Sequence, residues 1–223
     1  MKMTRMMLCG AIAAVLGLAL VACGTGAPAR ADGDLVSVGL SGDWHIYDDQ
    51  EEGGTSFIVM TEIEVDGMPG LHVIGELTEV AQWGYAGFGI DPDEATFENL
   101  RNTQSISFMV QGDGQRYAVQ FMVSNVRDYG HFWVLFDAPP EATRVSIPMR
   151  NFMQPGWAAP VGRLNQDLVT GIQWAPHGDT VRPGAFEMNI WDIRLYVPAG
   201  VVAIADPAAA PELDDEAEAV YEY

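Results

Sequence analysis

The chain has 223 residues and a formal charge of −20, with 11 basic residues against 31 acidic ones. A surface this acidic cannot neutralise phosphates, which excludes nucleic acid as a partner, and repulsion from anionic headgroups excludes flat adsorption on a membrane. Hydrophobic residues make up 48% of the chain, enough to build a sizeable core without covalent staples.

In chain order, Lys2 and Arg5 precede an apolar, small-residue-rich run from Met6 to Ala22 that closes on Leu20-Val21-Ala22-Cys23. The run is too short for a spanning helix. Residues 1–22 resemble a bacterial lipoprotein signal peptide. That resemblance implies cleavage before Cys23, diacylglycerol on its sulfur and a fatty acyl group such as palmitate on its new amine. At about 0.8 kcal/mol per buried CH₂, several acyl chains hold a protein firmly to a membrane. Cleavage removes Lys2 and Arg5 and leaves nine basic residues, all arginine. Cys9 is lost and Cys23 lipidated, so no disulfide forms. Gly24, not Asp, follows Cys23, a pattern similar to outer-membrane sorting in Gram-negative bacteria. The expected location is therefore the bacterial cell envelope, lipid-anchored, in the outer rather than the inner membrane. Residues 23–34 are rich in Gly, Ala, Pro and Asp and read as the lipidated cysteine plus a flexible tether.

From residue 35 to 197 the pattern is β. Phe57 to Val65 alternates, with Phe57, Val59, Ile63 and Val65 expected on the buried face, and turn chemistry follows at Asp66-Gly67 and Pro69-Gly70. Leu71–Leu77, Tyr85–Ile90, Ser105–Gln111, Tyr117–Val123, His131–Phe136, Thr143–Ile147, Leu168–Trp174 and Ala185–Leu195 continue as strands. The Gly112-Asp113-Gly114 loop predicts that the strands on either side of it pair as a hairpin. In the last strand Phe186, Met188 and Ile190 share one parity and Ile193 and Leu195 the other. A bulge near Trp191-Asp192 would reconcile them, with a structural role for Asp192. Helical periodicity is nearly absent before residues 198–223, an Ala/Pro/acidic tail in which a short helix from Pro211 is one reading. Asp91-Pro92-Asp93-Glu94 reads as a solvated turn. The expected fold is one all-β antiparallel sandwich of the jelly-roll type.

Four stretches in order carry a family resemblance: Tyr47 to Ser56, Trp83 to Gly89, Ile147 to Trp157 and Gly184 to Leu195. Together they resemble the galactose-binding-like jelly roll shared by family 11 carbohydrate-binding modules and the complex I intermediate-associated protein 30 group, over roughly residues 36–197. The first branch implies a sheet face that holds a glucan chain without catalysis. The second is associated with respiratory-complex assembly in mitochondria, which an exported lipoprotein does not fit. The resemblance also implies a structural calcium near paired acids in the last strand. Trp191 stands at the first of those two places, leaving Asp192, with Asp48 and Asp49 as companions from the first strand.

A sugar face needs aromatic rings to stack on pyranose faces and planar polar groups to read hydroxyls. Parity turns Trp83, Tyr85, Gln120, Trp133 and Gln173 away from the core residues of their strands, and likewise His131, Glu187 and Asn189. Arg150, after the Ile147-Pro148 strand end, is placed to meet a sugar hydroxyl or a nearby acid. The expected ligand contacts are Trp83, Tyr85, Gln120, Trp133 and Arg150, although Trp133 suits packing equally and His131 suits a rim or core histidine. No nucleophile elbow, zinc spacing or phosphate loop occurs, and acid pairs such as Glu76 and Glu79 are unremarkable in so acidic a chain. The expectation is a non-enzymatic binder of a polysaccharide or oligosaccharide, or alternatively an envelope assembly lipoprotein with a protein partner.

Overall fold

Alternating side chains along eleven strands produce two antiparallel sheets packed face to face, in a computed structural model that describes residues 34–80, 84–177 and 183–202. The strands are β1 (Leu35–Gly39), β2 (Gly42–Asp48), β3 (Phe57–Val65), β4 (Met68–Leu77), β5 (Ala86–Pro92), β6 (Ser105–Gly112), β7 (Arg116–Val123), β8 (Phe132–Asp137), β9 (Thr143–Pro148), β10 (Val169–Pro176) and β11 (Gly184–Pro198). The first sheet runs β3-β4-β11-β6-β9, with β1 beside the end of β11, and the second runs β2-β5-β10-β7-β8. The signal-peptide segment, Cys23, the tether up to Gly33 and the tail beyond Val202 lie outside the described residues.

Aromatic rings join the two sheets. Trp174 of β10 stacks on Phe88 at 5.6 Å, and Phe108 of β6, from the opposite sheet, meets Trp174 edge-on at 6.1 Å and Phe136 at 5.0 Å. Ile90, Ile106, Val119, Phe121, Ile172, Met188 and Ile190 are fully buried around them. Each such side chain contributes about 1.5–3 kcal/mol by leaving water. The expected bulge is present: the β11–β6 register shifts between Trp191 and Arg194, and Asp192 has φ +47°. The shift returns Leu195 and Val197 to the core after Phe186, Met188 and Ile190.

Three expectations are corrected. β6 and β7 do not pair; β6 bonds to β11 and β9, and β7 to β10 and β8, so the loop between them crosses from one sheet to the other. Asp113 Oδ2 in that loop accepts hydrogen bonds from the Tyr117 hydroxyl (2.9 Å) and the Glu187 amide (3.0 Å), fixing the crossing. The β3 phase is reversed: Ile58 is buried, whereas Phe57 and Val59 are 40% and 47% exposed on the outer side of an edge strand. Asp91 to Glu94 leads into a helix, α1 (Glu94–Asn102). Asp93 Oδ1 caps it by accepting from the Thr96 amide at 2.7 Å.

Candidate functional site

The outer face of the second sheet gathers four of the residues that parity turned from the core: Tyr85, Gln120, Trp133 and Gln173. Register aligns His45 with Gly89, Gly89 with Gln173, Gln173 with Gln120 and Gln120 with Trp133, one residue from each of the five strands. Met153 bonds to Trp133 through both backbone groups (3.1 and 3.3 Å) and extends this row beyond β8. Beside it lie Tyr47 opposite Gly87, and Ala175, Ala118 and Leu135 in register.

Glycine and alanine make the floor low, and the residues beside them stand above it. A Cβ on Gly87 would collide with the Tyr47 hydroxyl and the Trp174 carbonyl, so the Tyr47 ring lies down across the sheet. A Cβ on Gly89 would meet Gln173 at 2.8 Å and His45 Nε2 at 3.1 Å. Gln120 Nε2 donates to Gln173 Oε1 at 3.0 Å, which locks both amides in the middle of the row. Tyr47 and Tyr85 form one aromatic end, with ring centroids 6.3 Å apart and tilted by 37°. Trp133 and His177 form the other, stacked at 4.1 Å and 16°.

Burial pushes the Tyr47 phenol well above its usual range, against the opposing influence of neighbouring Gln120. Its hydroxyl is buried and closes no hydrogen bond of ordinary geometry. The Tyr85 phenol is raised too, by burial first and then by the charge and hydrogen bond of Glu52. Both phenols are neutral at physiological pH, so the face offers uncharged rings, amides and hydroxyls, and Arg116, beyond Ala118 on the same side of β7, is paired with Asp137 at 2.9 Å. That combination suits apolar sugar faces and their hydroxyls.

Of the five expected ligand contacts, the structure brings Tyr85, Gln120 and Trp133 to this face. Trp83 lies outside the described residues. Arg150 is exposed in the 149–151 turn after β9 and belongs to no strand of the row. Gln173 joins the face as its parity implied. Glu187 and Asn189 face outward from the other sheet, where His72 Nδ1 lies 2.7 Å from Asn189 Oδ1. His131 is half-buried and its Nδ1 accepts the Val123 amide hydrogen at 3.2 Å, a packing role. Tyr47, His45 and His177 were not anticipated. Alternation of Trp44 and Ile46 against His45 and Tyr47 in β2 was the available signal.

The residues expected to hold calcium do not fit it. Asp49 is buried, and its carboxylate accepts from the Ser56 amide (2.9 Å), the Ser56 hydroxyl (2.8 Å) and the Tyr85 amide (3.3 Å). Asp48 caps the Gln50 amide at 3.0 Å. Asp192, in the other sheet, is bonded to Arg144 and Arg194. Burial alone would raise its pKa, but the two guanidinium groups outweigh that and hold the carboxyl below its usual range. Among the described residues no three His, Cys, Asp or Glu side chains group to hold a metal ion.

Comparison with solved structures gives a family 11 carbohydrate-binding module from Clostridium thermocellum in complex with a β-1,3-1,4-mixed-linked tetrasaccharide. It is 19% identical, with 68% of this chain and 87% of that chain covered and a TM-score of 0.49. The solution structure of CtCBM11 is 17% identical over 80% of this chain and 99% of that one, with a TM-score of 0.50. At 17% identity the likeness to the solution structure is one of fold. No curated protein matches the chain significantly. The family described as Complex I intermediate-associated protein 30 (CIA30) matches residues 37–190, a span that takes in every strand of the outer-face row and both halves of the sandwich. With a match over roughly two thirds of its length, the chain belongs to the CIA30 family.

Proposed function

We propose that this protein binds a neutral polysaccharide or oligosaccharide of glucan type on the outer face of its second sheet, without catalysing any reaction. The observation that carries the reading is the Gln120–Gln173 amide pair, which sits between two aromatic ends on a floor of glycine and alanine. A protein-docking face would be apolar there; this one carries a hydrogen-bonded amide pair between two pairs of rings. The four sequence motifs similar to family 11 carbohydrate-binding modules support the same reading. Lipidation at Cys23 would hold the domain in the bacterial envelope, at the outer membrane, with residues 24–34 as the tether. Isothermal titration against a β-glucan and oligosaccharide panel tests the binding. Absence of heat with every member, at protein concentrations suited to millimolar affinity, overturns it. Mass spectrometry of the mature N terminus tests the anchor, and an unmodified terminus elsewhere overturns that part.

One observation favours a second reading. Phe57, Val59 and Ile74 are exposed together on the outer side of β3 and β4. An assembly lipoprotein would use that apolar edge to hold an envelope protein. Charged substitutions at Val59 and Ile74 would then abolish cross-linking to the partner while leaving glycan binding intact.

A further inference from the structure

The three most exposed large apolar side chains among the described residues after α1 are Tyr129 (83%), Trp157 (70%) and Met153 (69%). They stand on two neighbouring loops, residues 124–131 and 153–165. Exposed apolar side chains scattered singly need no explanation, but a cluster marks a contact surface.

These loops are bonded to each other. Asp128 accepts from the Gly130 amide at 3.2 Å with one oxygen and from the Ala159 amide at 2.7 Å with the other. Gln154 donates to the carbonyls of Gly130 (2.8 Å) and Ala159 (3.3 Å) and accepts from the Val161 amide (2.8 Å). Gly130 packs so closely on Ala158 that no side chain would fit between them. The backbone amides of Ala159 and Gly130 hold the Asp128 carboxyl below its usual pKa, so the clamp is charged throughout the physiological range. Tyr129 itself is held at φ +60°, a left-handed conformation unfavourable for a tyrosine. A loop backbone fixed in this way loses little freedom when a ligand arrives.

The cluster is continuous with the strand row. Met153 lies directly opposite Trp133 and so points to the same side of the sheet.

Resting on the glycan-binding reading, we infer that Tyr129, Met153 and Trp157 form a second contact wall that engages only the longer chains. A glycan that occupies Tyr85, Gln120 and Trp133 continues past β8 onto Met153 and then meets the loop rings. Lipid is the other candidate occupant for exposed rings on a tethered domain. The formal charge of −20 opposes approach to anionic headgroups, and continuity with the amide row favours sugar.

The test is titration calorimetry with a ladder of β-linked gluco-oligosaccharides, disaccharide to octasaccharide, on the wild type and on Trp157→Ala, Tyr129→Gly and Trp133→Ala. Wild-type affinity should rise with chain length. Trp157→Ala and Tyr129→Gly should match the wild type on the disaccharide and lose about tenfold on the octasaccharide, a size ordinary for one stacked ring. Tyr129→Gly should melt no lower than the wild type, because glycine relieves the left-handed backbone, so the lost affinity is not misfolding. Loss with Trp133→Ala but wild-type affinity for both loop variants at every length overturns this inference and leaves the parent reading standing. No binding by the wild type to any member overturns both. A blue shift of tryptophan fluorescence, lost in Trp157→Ala, with phosphatidylethanolamine and phosphatidylglycerol vesicles and none with the oligosaccharides assigns the wall to lipid and overturns it as well.

Discussion

Replacing Asp49 by Asn separates a structural carboxylate from a calcium ligand. Three donors converge on Asp49: the Ser56 amide at 2.9 Å, the Ser56 hydroxyl at 2.8 Å and the Tyr85 amide at 3.3 Å. The Ser56 hydroxyl oxygen in turn accepts the Thr78 amide at 3.1 Å. One buried side chain thus ties the end of β2 to the start of β3, the end of β4 and the start of β5. An asparagine oxygen can keep the Ser56 amide, but its NH₂ then faces the Tyr85 amide, donor against donor. One buried donor without an acceptor, together with the lost charge assistance, costs about 2 kcal/mol. At roughly 2–4 °C per kcal/mol for a domain of this size, the melting temperature should fall by about 6 °C. Asp49→Ala strands the Tyr85 amide as well as both Ser56 donors and should cost about 4 kcal/mol or more, or about 12 °C. Thermal unfolding followed by circular dichroism, in calcium and in chelator, is the assay. Wild type and variants should each melt at the same temperature in both. An Asn variant that melts within a degree of the wild type, or a wild type destabilised by chelator, would refute this account of Asp49.

Trp133→Ala should weaken glycan binding by about tenfold or more in titration calorimetry, since it removes the ring at one end of the row and the platform on which His177 stacks. Gln120→Ala leaves Gln173 without its partner amide and should weaken binding about tenfold, with a melting temperature within a few degrees of the wild type. The depressed pKa of Asp192 means that the unfolded chain takes up this proton before the folded one as pH falls. Its stabilisation is therefore complete above about pH 4.5 and is lost as pH drops through the folded value. Asp192→Asn should be less stable than wild type at neutral pH, and the gap should narrow in acid unfolding as pH falls below the ordinary carboxylate range. Burial lowers the His131 pKa against the opposing charge of Asp128, so here too the unfolded chain protonates first. Stability from His131 is complete above about pH 6.5 and declines below it. His131→Asn keeps an acceptor for the Val123 amide and cannot titrate, so its melting temperature should change less than that of the wild type between about pH 7.5 and 5.5.

Strand existence was legible because alternation is a local property. Nine strands stand within a few residues of where the pattern placed them, and the bulge at Asp192 followed from a change of parity between Ile190 and Leu195. Depth was less legible. In β3 the bulky apolar residues Phe57, Val59, Ile63 and Val65 outnumber those on the other face, yet the core receives Ile58. An edge strand has only part of its inner face covered, so a majority of apolar residues does not identify the buried side. The helix α1 was overlooked although Asp93 precedes it as a cap, Glu94 opens its first turn and Arg101 stands in its last.

Pairing between strands was hidden because no local pattern specifies it. Gln120 and Gln173 were placed correctly relative to their own strands, as were Glu187 and Asn189. Only the register shows that the first two meet at 3.0 Å while the others line the opposite sheet. The difference is decided by the loop at Gly112 to Gln115. A tight turn there would have kept β6 and β7 in one sheet; instead Gly112 and Gly114 donate to the carbonyls of Pro139 and Ala138, and Asp113 reaches Glu187. Those bonds tie the loop to the β8–β9 connection and the start of β11 and carry the chain across the core. The same crossing puts the fully buried Phe108 and Phe121 into one core from opposite sheets and leaves Gln120 between Gln173 and Trp133. The candidate glycan face therefore depends on a loop outside the row of strands that forms it.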